Sequence, residues 1–272
     1  MDIGDVRDLY DREMRRDAPP DGPDARVERV GDVVRQTAPP LGWNGVLWSG
    51  LDAAGADAAI TAQVAHFAGL PDGARTWEWK LYAHDGPADL GARLRAAGFE
   101  EGEPETLMVA ETAALPREPV LPEGVRLVPV TDASGVDLMM RAHDGAFGGP
   151  PRPDLRHQLL TRVTSEPDRI AAVVALAGDR PVSAARLELT PGRSFGGLWG
   201  GGTVPEWRGR GIYRAMTAYR ARIAAERGVR YLQVDATGYS RPILGRLGFS
   251  ELGTTREYVW HAASDGAGGE RA

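Results

Sequence analysis

The chain has 272 residues, a formal net charge of −6 and no cysteine. That length predicts two compact units, each with its own core; the acidic balance argues against nucleic acid as the main partner; and the missing thiols exclude disulfides, thiolate metal sites and cysteine nucleophiles. With 42% hydrophobic and 26% charged residues the composition is that of a globular protein. No stretch approaches the roughly 20 apolar residues of a membrane span, so a cytoplasmic protein without membrane contact or bound metal is the expectation.

Residues 5–17 read as a short charged helix, ended by a Pro/Asp/Gly-rich run at 18–24. Segments 27–36 and 42–48 alternate apolar and polar residues as strands do, while 52–67 has helical spacing with Gly69 as its stop. The aromatic run 76–82 is a strand. Residues 87–97 read as a helix with Pro87 in its first turn and Gly98 as C-cap, followed by a strand at 105–111.

Residues 112–124 are proline-rich and aperiodic, which marks them as an interdomain linker. The predicted domains are therefore 1–118 and 119–263, with a frayed tail at 264–272. The second half opens with a strand at 125–130 and an amphipathic helix at 132–147, whose first turn Asp132 can cap. A helix at 154–164 follows. Segments 170–177, 182–189 and 195–204 are three consecutive strands separated by turn residues, a meander. A long amphipathic helix at 210–227, stopped by Gly228, leads to a strand at 231–236; such a strand, helix, strand unit crosses over right-handed and makes parallel neighbours. A short helix at 240–247 and a last strand at 256–261 complete the half.

The chemistry is concentrated where the strand ending near Val204 meets the long helix. Holding a pyrophosphate requires free backbone amides at a helix N-terminus and room for the backbone to approach the anion. The run Arg208-Gly-Arg-Gly-Ile-Tyr213 offers both: Gly209 and Gly211 carry no Cβ, and Arg208 and Arg210 can add charge-assisted contacts. It is neither a Walker loop, lacking Gly-Lys-Ser/Thr, nor a dinucleotide fingerprint, lacking Gly-x-Gly-x-x-Gly.

The longer run Thr203-Val-Pro-Glu-Trp-Arg-Gly-Arg-Gly-Ile-Tyr213 resembles the signature of the GNAT superfamily of N-acetyltransferases, a strand ending in Val-x-Pro-like residues followed by Arg/Gln-x-x-Gly-x-Gly/Ala. Arg208 stands at its first position and Gly211 at its central glycine; Tyr213 departs from the small final residue. A second landmark, a short helix ending in Leu-Gly-Phe, is matched by Ser240-Arg-Pro-Ile-Leu-Gly-Arg-Leu-Gly-Phe249. The resemblance covers residues 125–260. It implies an α/β (α+β) fold with a mixed, mostly antiparallel sheet flanked by helices, and a parallel, splayed strand pair that admits the pantetheine arm of acetyl-CoA. It also implies acetyl-CoA as acyl donor and an amine as acceptor. Thr203, Val204, Arg208, Gly209, Arg210, Gly211, Ile212 and Tyr213 are then the donor-binding residues, and amides near Thr203 and Val204 polarise the thioester carbonyl. Gly200-Gly-Gly202 falls in the strand before the loop and marks a bulge or a close backbone approach.

Acyl transfer to an amine needs a base for the amine and an acid for the departing thiolate. Many members of the superfamily place a tyrosine five residues before the Gly-Phe phenylalanine, where this chain has Leu244. The nearest hydroxyls are those of Tyr239 and Ser240. Candidate bases are Glu188, Asp235 and His143, each of which has an ordinary structural role as its alternative, and ordered water can also take the proton. A different class of reading, a non-catalytic acyl-CoA-binding or regulatory module, follows from Leu244.

The first half carries an echo of the second. Glu78-Trp-Lys-Leu-Tyr82 followed by a helix and Gly98-Phe99 repeats the order of Tyr231-Leu-Gln-Val-Asp235 followed by Gly248-Phe249. This resembles a tandem GNAT protein with a degenerate N-terminal half, since no Arg-Gly-x-Gly counterpart occurs there. Trp43, Trp48 and Trp77 line a pocket or, more simply, fill a core. The acceptor's identity and the oligomeric state are not written in the sequence, a homodimer being one arrangement open to it.

Overall fold

The computed structural model describes residues 1–22, 24–39, 42–70, 76–150 and 152–262; the expected tail at 264–272 lies outside them. In chain order, helix α1 (Ile3–Tyr10) runs into a wider-wound turn at Asp11–Arg16 and is followed by β1 (Arg26–Val30), β2 (Val33–Thr37), β3 (Gly45–Ser49), α2 (Ala56–Ala68), β4 (Thr76–Tyr82), α3 (Leu90–Ala96) and β5 (Glu100–Glu111). Next come β6 (Val125–Val130), α4 (Ala133–Phe147), α5 (Pro153–Ser165), β7 (Ile170–Ala177), β8 (Arg180–Leu189), β9 (Phe195–Thr203), α6 (Ile212–Glu226), β10 (Tyr231–Ala236), α7 (Arg241–Arg246) and β11 (Ser250–His261). Most elements fall where periodicity and caps place them. Helix α3 starts later than Pro87, at Leu90, and β5 starts earlier than residue 105, at Glu100. None of the helices among the described residues is long and apolar enough to cross a membrane.

The chain divides into two compact units. Among the described residues, unit 1 comprises Met1–Glu13 and Thr106–Leu252; unit 2 comprises Met14–Glu105 and 253–262. Each end of the chain thus lies with the half it does not adjoin in sequence. In unit 1 the ring of Tyr10 stands edge-on to Phe195 at 5.3 Å. The Glu13 carboxylate accepts hydrogen bonds from the Ser194 amide (2.7 Å) and hydroxyl (3.1 Å). At the other end, β11 does not complete the C-terminal half as its position in sequence suggests. It pairs antiparallel with β4, from Thr255 opposite Tyr82 to His261 opposite Thr76.

Within unit 1 the strand order is β5, β10, β9, β8, β7, β6. All neighbours are antiparallel except β9 and β10, which α6 joins as a parallel crossover. Strand β7 is apolar on both faces because both are covered: Ala172, Val174 and Leu176 meet Val136, Met139 and Met140 of α4 and Leu159 and Val163 of α5, while Val173 and Ala175 share a core with Ile212 and Met216 of α6. Helix α4 begins at Asp132, whose carboxylate accepts from the Gly135 amide at 2.8 Å. That bond satisfies one of the orphan donors of the first turn and holds the Asp132 carboxyl below the usual carboxylate range.

Unit 2 carries β1, β2, β3, β4 and β11 in that order. Here β3 and β4 are the parallel pair, joined through α2. Its core stacks Trp77 on Phe67 at 4.4 Å and edge-on against Phe99 at 4.9 Å. So Trp77 is core, whereas Trp48 lies under the guanidinium groups of Arg16 and Arg29. Arg15 is 1% exposed and donates to Asp85 at 2.6 Å, with its guanidinium 3.7 Å from the centre of the Tyr82 ring.

Candidate functional site

The parallel pair in unit 1 comes apart. Phe195, Gly196 and Gly197 of β9 pair with Tyr231, Leu232 and Gln233 of β10, and there the ladder stops, although β9 runs on to Thr203 and β10 to Ala236. On its other side β9 is bulged: Gly202 pairs with Ala184 and Trp199 with Arg186, so Gly200 and Gly201 stand outside the ladder with β8 as well. Gly200 takes φ +58°, which only glycine adopts without strain, so the expected bulge is built from the residue it requires. Neither glycine therefore has a ladder partner in β8 or in β10.

Beyond the fork the chain turns through Pro205–Trp207 and enters α6 at Gly211, whose φ of +84° ends the loop. Gly209 is also left-handed, at φ +74°, and a Cβ built on either glycine meets open space. Among the described residues no acceptor is found for the backbone N–H groups of residues 209–214; the first helical bond after the loop runs from the Ala215 amide to the Gly211 carbonyl. Six amides at a helix N-terminus, with the positive end of the helix dipole behind them, form an anion cradle. Ile212, 1% exposed, anchors the helix start in the core, and Arg208 anchors the loop. The Arg208 Nε donates to the Thr203 carbonyl and its Nη2 to the Ala146 carbonyl at the end of α4, both at 2.9 Å. Arg208 is thus a strut of the loop, a role its sequence position did not suggest. The Arg210 guanidinium lies 4.6 Å from the centre of the Trp207 ring.

Thr203 and Val204 close the strand. The Thr203 hydroxyl is 3.0 Å from that of Ser183, and the Val204 amide donates to the Val182 carbonyl. That bond commits the Val204 amide to β8, while Gly200 and Gly201 lie outside the register with either neighbouring strand. Tyr213 turns its side chain away from the loop and back onto β9. Its Cε2 lies 3.2 Å from where a Cβ of Gly201 would be. Behind it, Arg220 is 1% exposed and donates to the carbonyls of Met216 and Arg186 and to the Thr217 hydroxyl, with no carboxylate among the described residues in hydrogen-bond reach. Burial pushes the Arg220 guanidinium down to about 10, Tyr213 opposing and Arg186 adding to the effect.

The proposed acid and base residues lie at different places around the fork. Glu188 and Gln233 flank Gly197 on one rung, which puts their side chains on one sheet face; Arg186 and Trp199 share the next rung of that face. Asp235, two residues past Gln233, lies on the same face at the point where β10 has left β9. Glu188 is bound by Arg186 at 2.5 Å and by Arg162 at 2.9 Å. Burial alone would raise its pKa, but the two guanidinium groups outweigh it and hold the carboxyl below its usual range. A carboxylate so held is a poor base. Tyr239 is 92% exposed, and the Ser240 hydroxyl turns back to the Thr237 carbonyl at 3.4 Å. Leu244, at the position where the superfamily often has tyrosine, is fully buried. His143 packs on Phe147 with ring centres 4.8 Å apart. Sequence reasoning missed Arg220, Arg186 and Gln233: an arginine inside an amphipathic pattern reads as a surface charge, and nothing local marks it as buried.

No family model matches the sequence, and no curated protein matches it. Solved structures do match. A GCN5-related N-acetyltransferase from Kribbella flavida superposes with a TM-score of 0.69 at 18% identity, covering 96% of each chain. A functionally unknown conserved protein from Staphylococcus epidermidis gives the same score and identity over 91% of this chain and 97% of its own. A tandem GNAT protein from the clavulanic acid biosynthesis pathway matches with a TM-score of 0.60 at 14% identity, covering 97% and 96%. The chain therefore has the fold of the GCN5-related N-acetyltransferases, at full length and in a tandem arrangement.

Proposed function

We propose that the protein is an N-acyltransferase that takes an acetyl group from acetyl-CoA and passes it to an amine. In this reading the C-terminal half, residues 119–263, binds and reacts, and the N-terminal half, 1–118, is a degenerate copy. The observation that carries it is the cradle of unbonded amides at residues 209–214, placed beyond a strand pair that opens beside it. The pyrophosphate of the donor would lie on those amides, with the helix dipole and Arg210 adding positive potential. The pantetheine arm would run in the fork along the unpaired edge of β9, and the thioester carbonyl would meet the bulge amides of Gly200 and Gly201. Preorganised amides of this kind stabilise the charge that develops on the carbonyl oxygen during attack. Asp235, on the Glu188 face at the point where β10 has left β9, would receive the proton of the amine.

Fully buried Leu244 favours one second reading, a module that binds acyl-CoA without turning it over. Release of free thiol from acetyl-CoA over a broad amine panel separates the two. Binding is tested first, by calorimetry with acetyl-CoA and with Gly211→Val. A valine side chain would project from a left-handed position into the space the phosphates need, and affinity is expected to fall at least about tenfold, about 1.4 kcal/mol. Gly192→Val, equally strained at φ +73° in the β8–β9 turn, serves as the control and should bind as the parent does. Unchanged affinity in Gly211→Val, or equal stabilisation of the parent by ATP and by CoA, would sink the assignment.

A further inference from the structure

We propose that Tyr213 is the proton donor to the departing thiolate, taking the role for which Leu244 has no group; the inference rests on the acyl-CoA reading above. Tyr213 combines a titratable hydroxyl with the right address. Its half-buried ring packs on the core that holds Leu198 and Leu232 and lies against Gly201, the bulge glycine that pairs with neither neighbouring strand, so the ring stands beside the fork. The hydroxyl has no hydrogen-bond partner among the described residues, the only bond of Tyr213 outside the helix ladder being its carbonyl's to the Thr217 hydroxyl. Arg220 stands behind the same glycine, its Nη2 and Nη1 at 3.8 and 4.0 Å from the Cβ position, buried without a carboxylate. A buried guanidinium that lacks a counter-charge strengthens the binding of negative charge in front of it. The thiolate and the tyrosinate that follows proton transfer are both such charges.

The two faces of the fork divide the work. Asp235 approaches from the face of α4 and α5, whereas Tyr213 and Arg220 approach from the face of α6. The amine nitrogen attacks the thioester carbon and forms the C–N bond. The C–S bond then breaks, its electron pair stays on sulfur, and the Tyr213 proton moves to that sulfur to give free CoA. The extra proton of the amine, taken by Asp235 or water, returns through solvent to the tyrosinate. Burial raises the Tyr213 hydroxyl above its ordinary value while Arg220 partly offsets the rise, so the group is protonated, as an acid must be, throughout the neutral range.

Tyr213→Phe removes the proton and keeps the ring. With acetyl-CoA and the amine found to be acetylated, or with water as acceptor if none is, kcat is expected to fall about 100-fold. The dissociation constant for CoA and the melting temperature should stay near those of the parent. The discriminating donor is acetyl-seleno-CoA, whose selenolate leaves without needing a proton; with it the defect should shrink to within about fivefold. An unchanged kcat, an equal loss with both donors, or a parent that binds CoA and never releases thiol overturns the assignment of Tyr213. A parent that fails to bind CoA overturns the acyl-CoA reading instead.

Discussion

The molecule contains the same local construction twice. In unit 1, β9 and β10 are parallel strands joined through α6; in unit 2, β3 and β4 are parallel strands joined through α2. Both are followed by a short helix closed in the same way. The Phe99 amide bonds the Leu94 carbonyl and the Phe249 amide the Leu244 carbonyl, past left-handed Gly98 and Gly248, with both leucines fully buried. The Gly-Phe ending, with a buried leucine five residues before the phenylalanine, is thus a folding closure common to both units and carries no chemistry of its own. The difference lies at the helix entrances. Before α6 the amides are open and the neighbours are Arg208, Arg210 and Arg214. Before α2 the Asp52 carboxylate accepts from the amides of Ala54 and Gly55, at 3.0 and 2.8 Å, and Asp57 occupies the first helical turn. One entrance is prepared for an anion and the other already holds one. The buried arginines differ in the same sense: Arg15 of unit 2 has Asp85 as its counter-charge, while the partners of Arg220 in unit 1 among the described residues are carbonyls and a hydroxyl.

The largest effect should come from breaking the paired arginine. Asp85→Ala leaves the Arg15 charge buried, at 2% side-chain exposure, and is expected to destabilise unit 2 by about 3–5 kcal/mol. Arg15→Met with Asp85→Leu should recover most of that loss, because an apolar pair of similar volume carries no desolvation cost. Thermal denaturation of the three chains checks both statements. If the single variant melts like the parent, the Asp85 carboxylate is not what compensates the buried Arg15 charge.

A smaller loss is expected on the other side of the comparison. Glu188→Gln deprives Arg186 and Arg162 of their shared carboxylate and should cost roughly 1.5–3 kcal/mol, the range for hydrogen bonds to charged groups. Because the folded pKa of Glu188 is held below its ordinary value near 4.5, its contribution is complete above that value and is lost as pH falls through the folded pKa. The stability difference between parent and variant should therefore be constant at neutral pH and narrow in acid. A difference that widens below pH 4 would contradict the sign.

Much of this was legible in the sequence, and the rest was hidden for identifiable reasons. Asp132 announces α4 and Gly228 ends α6, because caps act on their own helix. The glycines of 200–202 and of the loop signalled the bulge and the cradle, since left-handed backbone selects glycine wherever it occurs. Pairing is different. Alternation in 256–261 says that a strand forms but not that it lies along β4, about 175 residues earlier, a choice made by tertiary packing. Docking of Tyr10 on Phe195 is equally non-local. The superfamily pattern makes Arg208 a donor-binding residue and Tyr213 another that departs from its small final position; in the structure Arg208 braces the loop and Tyr213 lies against the bulge. Charge and aromaticity in a motif do not reveal which way a side chain turns.

The smallest effect bears on the comparison most directly. Asp52→Ala removes the carboxylate from the amides before α2 and should cost about 1 kcal/mol, the usual value of an Asx contact of this kind. It also poses the question of whether that carboxylate alone separates the two entrances. Vacating the amides restores neither the left-handed glycines nor the arginines found before α6, and Asp57 remains to repel phosphate. Calorimetric titration of Asp52→Ala with CoA should therefore still give one site per chain, with the parent's affinity. A second site would mean that a single carboxylate had kept unit 2 empty; one unchanged site would show that the cradle requires its glycines and arginines as well as its free amides.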